Sequence, residues 1–177
     1  MTPTGRLRLK TFGYFLLLPV PLLGLGPWWL HHVAGEAFIW RGGLWQWVGV
    51  WLLLNGIGLA GWCINLFNVE GRGTPLPLDP PSQFVVSGPY RFVRNPMVLG
   101  IFLVLGGEVA LYQSQAVLWY ALILMGLAVV FVHAIEEPEL ERRFGQAYLA
   151  YKRQVPPWLP RRPRSISRAA HPREGIQ

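Results

Sequence analysis

The sequence is poor in cysteine and in charge, and both shortages restrict what the chain can be. Cys63 is the only cysteine and lies in an apolar run, so a disulfide framework or a cysteine-based zinc site within one chain is excluded. Charged residues make up 14% of the chain, whereas soluble domains have about 25%. Long runs of leucine, valine, tryptophan and phenylalanine take their place, which is typical of a membrane protein.

Two patterns typical of soluble cofactor and metal sites are also missing. The sequence has no glycine-rich strand-to-helix turn followed by an acidic residue, so a doubly wound nucleotide-binding fold is unsupported. His31 and His32 are adjacent, and adjacent residues do not share a helix face. No metal site is therefore predicted.

Four apolar segments predict transmembrane helices, at about residues 12–30, 44–67, 96–112 and 116–135, because a span needs about 20 apolar residues. The predicted fold class is all-α, a polytopic membrane helical bundle of four spans forming one domain over residues 1–160. No small-residue cleavage site follows the first run, so we expect it to be retained as a span and not removed as a signal peptide. Pro19 and Pro21 predict a kink in it.

The remaining segments have distinct compositions. Residues 68–95 are rich in glycine and proline, which predicts a cytoplasmic loop. Gln113, Ser114 and Gln115 alone join the last two spans, so these should form a tight antiparallel hairpin. Residues 136–152 have apolar residues at helical spacing, among them Tyr148 and Tyr151, with charged residues such as Lys152 opposite, which predicts a C-terminal amphipathic helix. Residues 161–177 form a basic tail that we expect to be disordered.

Glycines and aromatic residues within the spans have simple structural interpretations. Gly100, Gly106 and Gly107 in the third span predict close helix packing. Five tryptophans where the first two spans should meet the outer interface predict an aromatic belt, with a ligand cage as the alternative: Trp28, Trp29, Trp40, Trp45 and Trp47. Glu108 in the third span is a lone charge without an assigned role.

The basic residues predict the orientation of the spans. The net charge is +7, and with four spans all of the 16 Lys and Arg residues except Arg41 fall on one side of the membrane. The positive-inside rule places that side, with both termini, in the cytoplasm. We expect an integral protein of a bacterial inner membrane that contacts membrane lipids. Because the basic residues flank apolar spans, a nucleic-acid partner is not predicted, and no obligate protein partner is evident.

The first cluster of unusual polar residues runs from Ser87 to Pro96 and leads into the third span. Asn95-Pro96 places a proline at a helix start, which leaves free N–H groups suited to a carboxylate or phosphate. Arg94 adds a fixed positive charge with forked donors. The alternative is that Arg91 and Arg94 only anchor the helix to lipid headgroups.

The second cluster is Glu136-Glu137-Pro138-Glu139 at the cytoplasmic end of the fourth span. Adjacent carboxylates at a membrane boundary are costly without a partner, and such charges are candidates for function. A cationic ligand would be a suitable partner. The alternative is an acidic first turn of the amphipathic helix, stabilised by the helix dipole.

The run Val86-Ser87-Gly88-Pro89-Tyr90 through Arg94-Asn95-Pro96 to Gly100, followed by Glu136-Glu137 and Leu140, resembles the bipartite signature of the isoprenylcysteine carboxyl methyltransferase and phospholipid methyltransferase superfamily. The resemblance covers about residues 68–160 and implies S-adenosylmethionine as cofactor. It implies cofactor contacts from residues of the loop, of the start of the third span and of the glutamate pair: Ser82, Gln83, Phe84, Val85, Gly88, Tyr90, Arg94, Asn95, Pro96, Met97, Val98, Gly100 and Glu136.

Three positions depart from the family pattern. Asn95 stands where the family commonly has His, and Val98 where it commonly has Tyr. Val132 stands where the prenylcysteine enzymes have an Arg that would bind the carboxylate to be methylated. The last departure weighs against carboxyl methylation of prenylcysteine.

The function that the resemblance implies is methyl transfer from S-adenosylmethionine to a lipid or lipid-linked acceptor at the cytoplasmic face, as in isoprenylcysteine carboxyl O-methyltransferases. A phospholipid amine N-methyltransferase and a non-catalytic membrane scaffold or transporter subunit are the alternatives. The candidate catalytic residues are Arg94, Glu137 and His133. His133 precedes Glu137 by four residues and so shares its helix face, and either one could take a proton from an amine acceptor.

Overall fold

The computed structural model of the chain describes Gly13, residues 19–71 and residues 83–161. Within these residues all regular secondary structure is helical, which confirms the all-α class. The α-helices are α1 (Gly26–Val33), α2 (Leu44–Val69), α3 (Pro96–Tyr112), α4 (Gln115–Phe131), α5 (Glu137–Phe144) and α6 (Gln146–Gln154). π-helical turns at Pro21–Leu25 and Val132–Glu136 precede α1 and α5, and a 3₁₀ turn at Gly88–Arg91 precedes α3.

Two helices of the described chain are long and apolar enough to cross a membrane. They are α2, with 26 residues, and the continuous helix Gln115–Phe144, with 30 residues. Most of their apolar length is exposed, including Trp51, Ile57, Trp119 and Leu127. Apolar surface of this extent indicates contact with lipid. These helices indicate an integral membrane protein.

The predicted number of four spans stays a prediction. α3 has the predicted bounds and is apolar, but its 17 residues make it shorter than the other two helices. The first predicted span begins outside the described residues. Its described part contains the π-helical turn that starts at Pro21, where a kink is expected, and then continues as α1 to Val33.

The hairpin between α3 and α4 forms at the predicted residues. Gln113 has a left-handed backbone, with φ of 51°, and ends α3. Ser114 then caps α4, because its side chain accepts a hydrogen bond from the Val117 N–H. Two short polar residues are thus enough to reverse the chain.

α2 and α3 pack closely through two pairs of glycines. Cβ atoms built on Gly49 and Gly56 would lie 2.7 Å and 2.6 Å from the carbonyl oxygens of Gly107 and Gly100. No side chain fits at such distances, so the two backbones approach each other directly. The predicted packing role is confirmed for Gly100 and Gly107, whereas Gly106 faces open space.

The predicted single amphipathic helix over residues 136–152 is wrong. The fourth span continues through Val132–Glu136 directly into α5, and the chain then breaks at Gly145, which has φ of 52° and ψ of −126°. Residues with a side chain rarely adopt this backbone conformation, and glycine adopts it freely. α6 therefore starts in a new direction.

The segment after α6 returns to the beginning of α3. The backbone N–H of Arg94 donates to the Pro156 carbonyl at 2.9 Å, and the N–H of Arg161 donates to the Phe92 carbonyl at 3.0 Å. The loop before α3 and the end of the described chain are thereby held side by side. Of the predicted disordered tail, only Arg161 is among the described residues.

Candidate active site

A buried group of charges joins the start of α3 to α5 and α6. Arg94 Nη1 donates to Glu137 Oε1 at 2.7 Å, and both side chains are less than one tenth exposed. Lys152 Nζ lies 3.0 Å from Glu137 Oε2 and 2.5 Å from Glu141 Oε1. Both carboxylate oxygens of Glu137 are therefore engaged by cations. Its hydrogen bonds to Glu141 and Glu137 raise the pKa of Lys152.

Arg94 and Asn95 are positioned by the segment after α6. Besides the Arg94 backbone bond to Pro156, Asn95 Nδ2 donates to the Pro157 carbonyl at 3.1 Å. The Asn95 side chain makes no capping hydrogen bond to the first turn of α3. The N–H groups of the first turn, such as those of Met97 and Val98, have no partner within the helix. They can bind an anionic group of a ligand.

The Arg94 side chain keeps unused hydrogen-bonding capacity. Its Nε is buried and has no partner among the described residues. A buried donor without a partner costs about 1–3 kcal/mol, so it is an expected contact for a bound acceptor group. Arg94 is two residues before Pro96, the first residue of α3.

An aromatic cluster supports the charged group from one side. Phe84 lies 5.2 Å from Phe144, 5.7 Å from Tyr148 and 5.1 Å from Tyr151 between ring centroids. The Tyr151 hydroxyl donates to the Tyr90 carbonyl at 2.7 Å. Burial raises the pKa of Tyr90, Tyr148 and Tyr151, so these phenols stay neutral.

His133 lies at the edge of the charged group. Its Nδ1 is 3.7 Å from Glu137 Oε2, and its side chain is 44% exposed. The ring also contacts Trp158 edge-to-face, with centroids 5.8 Å apart, and Trp158 stacks on Phe102 of α3. His133 is thus held near Glu137 while part of its ring remains accessible.

The predicted cofactor residues lie around the loop before α3. Val85, Tyr90, Asn95, Pro96 and the Arg94 side chain are buried; Phe84, Gly88, Met97, Val98 and Glu136 are half-buried; Gln83 is exposed; and Ser82 lies outside the described residues. Gly88 has φ of +52° and packs against Leu66, and Gly100 packs against α2. Backbone conformation and packing therefore explain the glycine at each of these two positions, and the predicted cofactor contacts of Gly88 and Gly100 stay predictions.

Several residues of the site were not predicted as site residues. Lys152 was expected on the charged face of one long helix and Tyr148 and Tyr151 on its apolar face, and Glu141 was assigned to neither face. Only the break at Gly145 turns α6 so that Lys152 reaches Glu137. A glycine within an amphipathic pattern is the signal that could have indicated this break. For Trp158 the sequence offers no comparable signal.

Curated proteins similar to the chain are fungal phosphatidylethanolamine N-methyltransferases. The protein from Aspergillus flavus is 30% identical over 144 residues, which are 77% of this chain and 13% of that protein. The protein from Paracoccidioides brasiliensis is 27% identical over 144 residues, which are again 77% of this chain and 13% of that protein. The protein from Arthroderma benhamiae is 28% identical over 136 residues, which are 72% of this chain and 13% of that protein. The chain thus spans only 13% of the length of these relatives. No solved structure matches the chain.

The pattern of the phospholipid methyltransferase family matches residues 44–147, which is more than half of the chain. The match extends from α2 into α6 and includes Arg94, His133 and Glu137. It agrees with the predicted enzyme class and with the broader superfamily of membrane methyltransferases, and it does not single out the isoprenylcysteine carboxyl branch. The protein belongs to the phospholipid methyltransferase family.

Proposed function

We propose that the chain transfers a methyl group from S-adenosylmethionine to the amine of a phospholipid headgroup, as the names of its fungal relatives describe for those proteins. The observation that carries the proposal is the buried contact of Arg94 with Glu137. It joins the two halves of the methyltransferase signature, which are far apart in sequence, at one end of the helices. A scaffold protein would have no need for this buried and costly arrangement.

The residues at the start of α3 fit S-adenosylmethionine. The uncapped first turn and the unpartnered Arg94 Nε suit its carboxylate. Glu136, half-buried beside Glu137, suits its positive charge. Tyr90, Asn95, Met97 and the other predicted contacts would surround these groups. When bound, the cofactor supplies an electrophilic methyl group on a sulfonium.

The acceptor amine must lose a proton to react, and His133 is the better placed of the two proposed bases. Both oxygens of Glu137 already contact Arg94 and Lys152. His133 keeps part of its ring exposed and lies 3.7 Å from Glu137. In this arrangement His133 takes the proton, and Glu137 orients the imidazole. The amine nitrogen forms a bond to the methyl carbon as the carbon–sulfur bond breaks.

An amine acceptor agrees with the site better than a carboxylate acceptor. Val132, where the prenylcysteine enzymes have an arginine, is only 1% exposed. The nearby cations Arg94 and Lys152 are engaged by Glu137 and Glu141. A carboxylate acceptor would find no free cation among these residues. O-methylation of a lipid-linked carboxylate remains the second candidate, supported by the resemblance of the signature.

The proposed orientation places the site at the cytoplasmic face of a bacterial inner membrane. The support is the positive-inside pattern, since with the four predicted spans all Lys and Arg residues except Arg41 fall on the side of Arg94. The acceptor then reaches His133 laterally from the lipid. A cysteine introduced at Arg153, after removal of Cys63, should react with membrane-impermeant reagents only in inverted vesicles.

The first experiment measures S-adenosylmethionine binding to detergent-purified wild type, Arg94→Ala and Glu136→Ala. Arg91→Ala is the matched control, because Arg91 is an exposed arginine of the same segment. Saturable binding that is weakened in the two site variants and retained in the control supports the cofactor assignment. Absence of binding in detergent and in lipid nanodiscs would support the scaffold alternative.

The second experiment identifies the acceptor. Nanodiscs that contain phosphatidylethanolamine, or a prenylcysteine analogue instead, are supplied with methyl-labelled S-adenosylmethionine. Label in the amine lipid supports N-methylation. Label only in the prenylcysteine analogue would overturn the amine assignment and leave the cofactor assignment intact.

A further inference from the structure

A cavity with aromatic and polar residues in its walls lies at the opposite end of the helices from the candidate active site. Its volume is about 300 Å³, and it is bounded by α1, the segment after α1 and the end of α3. Arg94 precedes the first residue of α3 and Tyr112 is its last. With 17 residues and a rise of 1.5 Å per residue, α3 separates the two sites by about 25 Å. The cavity is therefore distinct from the proposed methyl-transfer site.

A buried histidine in the cavity wall has one unused ring nitrogen. His31 is 5% exposed, and its Nδ1 lies 3.0 Å from Glu36 Oε2. An ionised carboxylate can only accept, so Nδ1 carries the hydrogen of this bond. In the neutral imidazole, Nε2 is then an acceptor, and it has no partner in the described part of the chain. A ligand with an N–H donor would satisfy it.

The other walls suit a positive charge. Trp28, Phe38 and Tyr112 line the cavity. The Tyr112 ring centroid lies 4.9 Å from that of His31 and 5.7 Å from that of Phe38. Aromatic rings attract cations, most strongly where water is excluded. None of the described residues that line the cavity is Lys or Arg.

A carboxylate lies at the opening of the cavity. Glu36 lines the cavity and is 38% exposed at its side chain, so it lies at the opening. Aromatic rings together with carboxylates form the kind of cage that binds ammonium groups.

We propose that this cavity binds an ammonium group, either on a lipid headgroup or on a free amine. Its volume is at the lower end of ligand pockets, which measure roughly 300–1,000 Å³, so it accommodates a headgroup and not the acyl chains. Glu36 supplies the countercharge at the opening, the aromatic rings surround the cation, and His31 accepts a hydrogen bond from an ammonium that carries a proton. The proposal goes beyond the proposed methyl transfer, because it concerns the other end of the helices.

The test uses the full chain in nanodiscs of phosphatidylglycerol, which has no ammonium group. Choline and ethanolamine are titrated and followed by saturation-transfer NMR, with 3,3-dimethylbutanol as the uncharged analogue of choline. In parallel, phosphatidylethanolamine or phosphatidylcholine is added to the nanodiscs, and retained lipid is counted by native mass spectrometry. The variants are Glu36→Gln and Phe38→Leu. Trp45→Leu is the control, because Trp45 is 64% exposed and is not among the lining residues.

We expect the wild type to bind at least one ammonium ligand, with affinity lowered about 5- to 30-fold in Glu36→Gln and in Phe38→Leu and unchanged in Trp45→Leu. The uncharged alcohol should bind wild type and Glu36→Gln alike. Retention of the lipids alone identifies the source as a headgroup, and binding of the soluble amines alone identifies a free amine.

The variant Glu137→Gln distinguishes amine binding in the cavity from amine binding at the candidate active site. This variant should leave the Glu36-dependent part of the binding intact, even if methyl transfer is lost. Three results would overturn the proposal. They are equal amine binding by wild type and Glu36→Gln, loss of amine binding in Glu137→Gln, and no binding of any of the amine ligands. None of these results would bear on S-adenosylmethionine binding, so the proposed function can fail or succeed independently.

Discussion

The guanidinium of Arg94 and the carboxylate of Glu137 lie 2.7 Å apart, although the two residues are 43 positions apart in the sequence. Arg94 is two residues before Pro96, which starts α3, and Glu137 begins α5. Their contact fixes the start of one membrane helix against the continuation of another. Lys152 completes the arrangement by binding the second oxygen of Glu137.

Removal of Glu137 should destabilise the protein more than removal of Arg94. Glu137→Leu leaves the buried Arg94 without its partner, whereas Arg94→Met leaves Glu137 paired with Lys152. Breaking a buried pair costs about 3–5 kcal/mol. We therefore expect Glu137→Leu to lower the free energy of unfolding by about that amount and Arg94→Met to lower it by less. Unfolding of purified variants in a denaturing detergent measures the difference.

The control for this comparison is the exposed pair of Glu139 and Arg142. Their side chains are 49% and 75% exposed and lie 2.9 Å apart. Exposed pairs contribute about 0–1 kcal/mol, so Glu139→Leu should have a small effect. Equal losses of stability in Glu137→Leu and Arg94→Met would contradict the assignment of Lys152 as the second cation paired with Glu137.

The stabilising contribution of Lys152 should disappear at high pH. Hydrogen bonds to Glu141 and Glu137 raise its pKa above the ordinary value of 10.5. A raised folded-state pKa means that the contribution is complete below 10.5 and is lost as the pH rises through the raised value. We expect the Tm difference between wild type and Lys152→Gln to be constant from about pH 7 to 10 and to narrow above it.

The Lys152 effect should be modest, because its side chain is 35% exposed and solvent screens the interaction. Arg153→Gln serves as the control, since Arg153 is the exposed neighbour on α6. A Tm difference between wild type and Lys152→Gln that grows above pH 10 would contradict the assigned ion pairs.

The elements that sequence alone predicted well are those determined by local chemistry. α3 runs from Pro96 to Tyr112 as predicted, because proline favours a helix start and the polar pair Gln113-Ser114 ends the apolar run. The close packing at Gly100 and Gly107 was predictable because small residues in an apolar span let two helix backbones approach each other. The two polar clusters were found because charges at a membrane boundary stand out against apolar sequence.

The parts that sequence missed depend on contacts between distant segments. The direction of α6 follows from one backbone angle at Gly145, and the position of Lys152 follows from that direction. The bonds of Pro156 and Pro157 to Arg94 and Asn95 join residues far apart in the chain. Helical spacing within a segment contains no information about such contacts, so Glu137 was predicted without either of its two cations, Arg94 and Lys152.

His133→Ala should lower the rate of methyl transfer without weakening cofactor binding. Loss of a general base reduces the rate roughly 10²- to 10⁴-fold, and the start of α3, where the cofactor is proposed to bind, is unchanged. Initial rates with labelled S-adenosylmethionine and its dissociation constant separate the two effects. Glu139→Ala is the control, since Glu139 is an exposed residue of α5 that pairs with the exposed Arg142 and not with the charged group. Full turnover in both His133→Ala and Glu137→Gln would show that neither is the base.

Gly56→Ala should disturb the site from within the membrane. A Cβ at Gly56 would lie 2.6 Å from the Gly100 carbonyl oxygen and 2.8 Å from the Val104 nitrogen, and neither backbone atom can move without shifting α3. Overpacking costs about 1–3 kcal/mol. Gly58→Ala is the control two residues away, because nothing lies within 4 Å of its Cβ, and it should be neutral or stabilise by up to about 1 kcal/mol.

The consequence of Gly56→Ala should extend to the cofactor, because Gly100 lies four residues after Pro96 on the same helix. A shift of α3 away from α2 moves its first turn relative to Glu137, so S-adenosylmethionine binding should weaken along with stability. Thermal unfolding and cofactor titration of both alanine variants test this coupling. If Gly56→Ala loses stability and binds the cofactor as the wild type does, the first turn of α3 is held by Arg94 and Pro156 alone and does not depend on the glycine contacts.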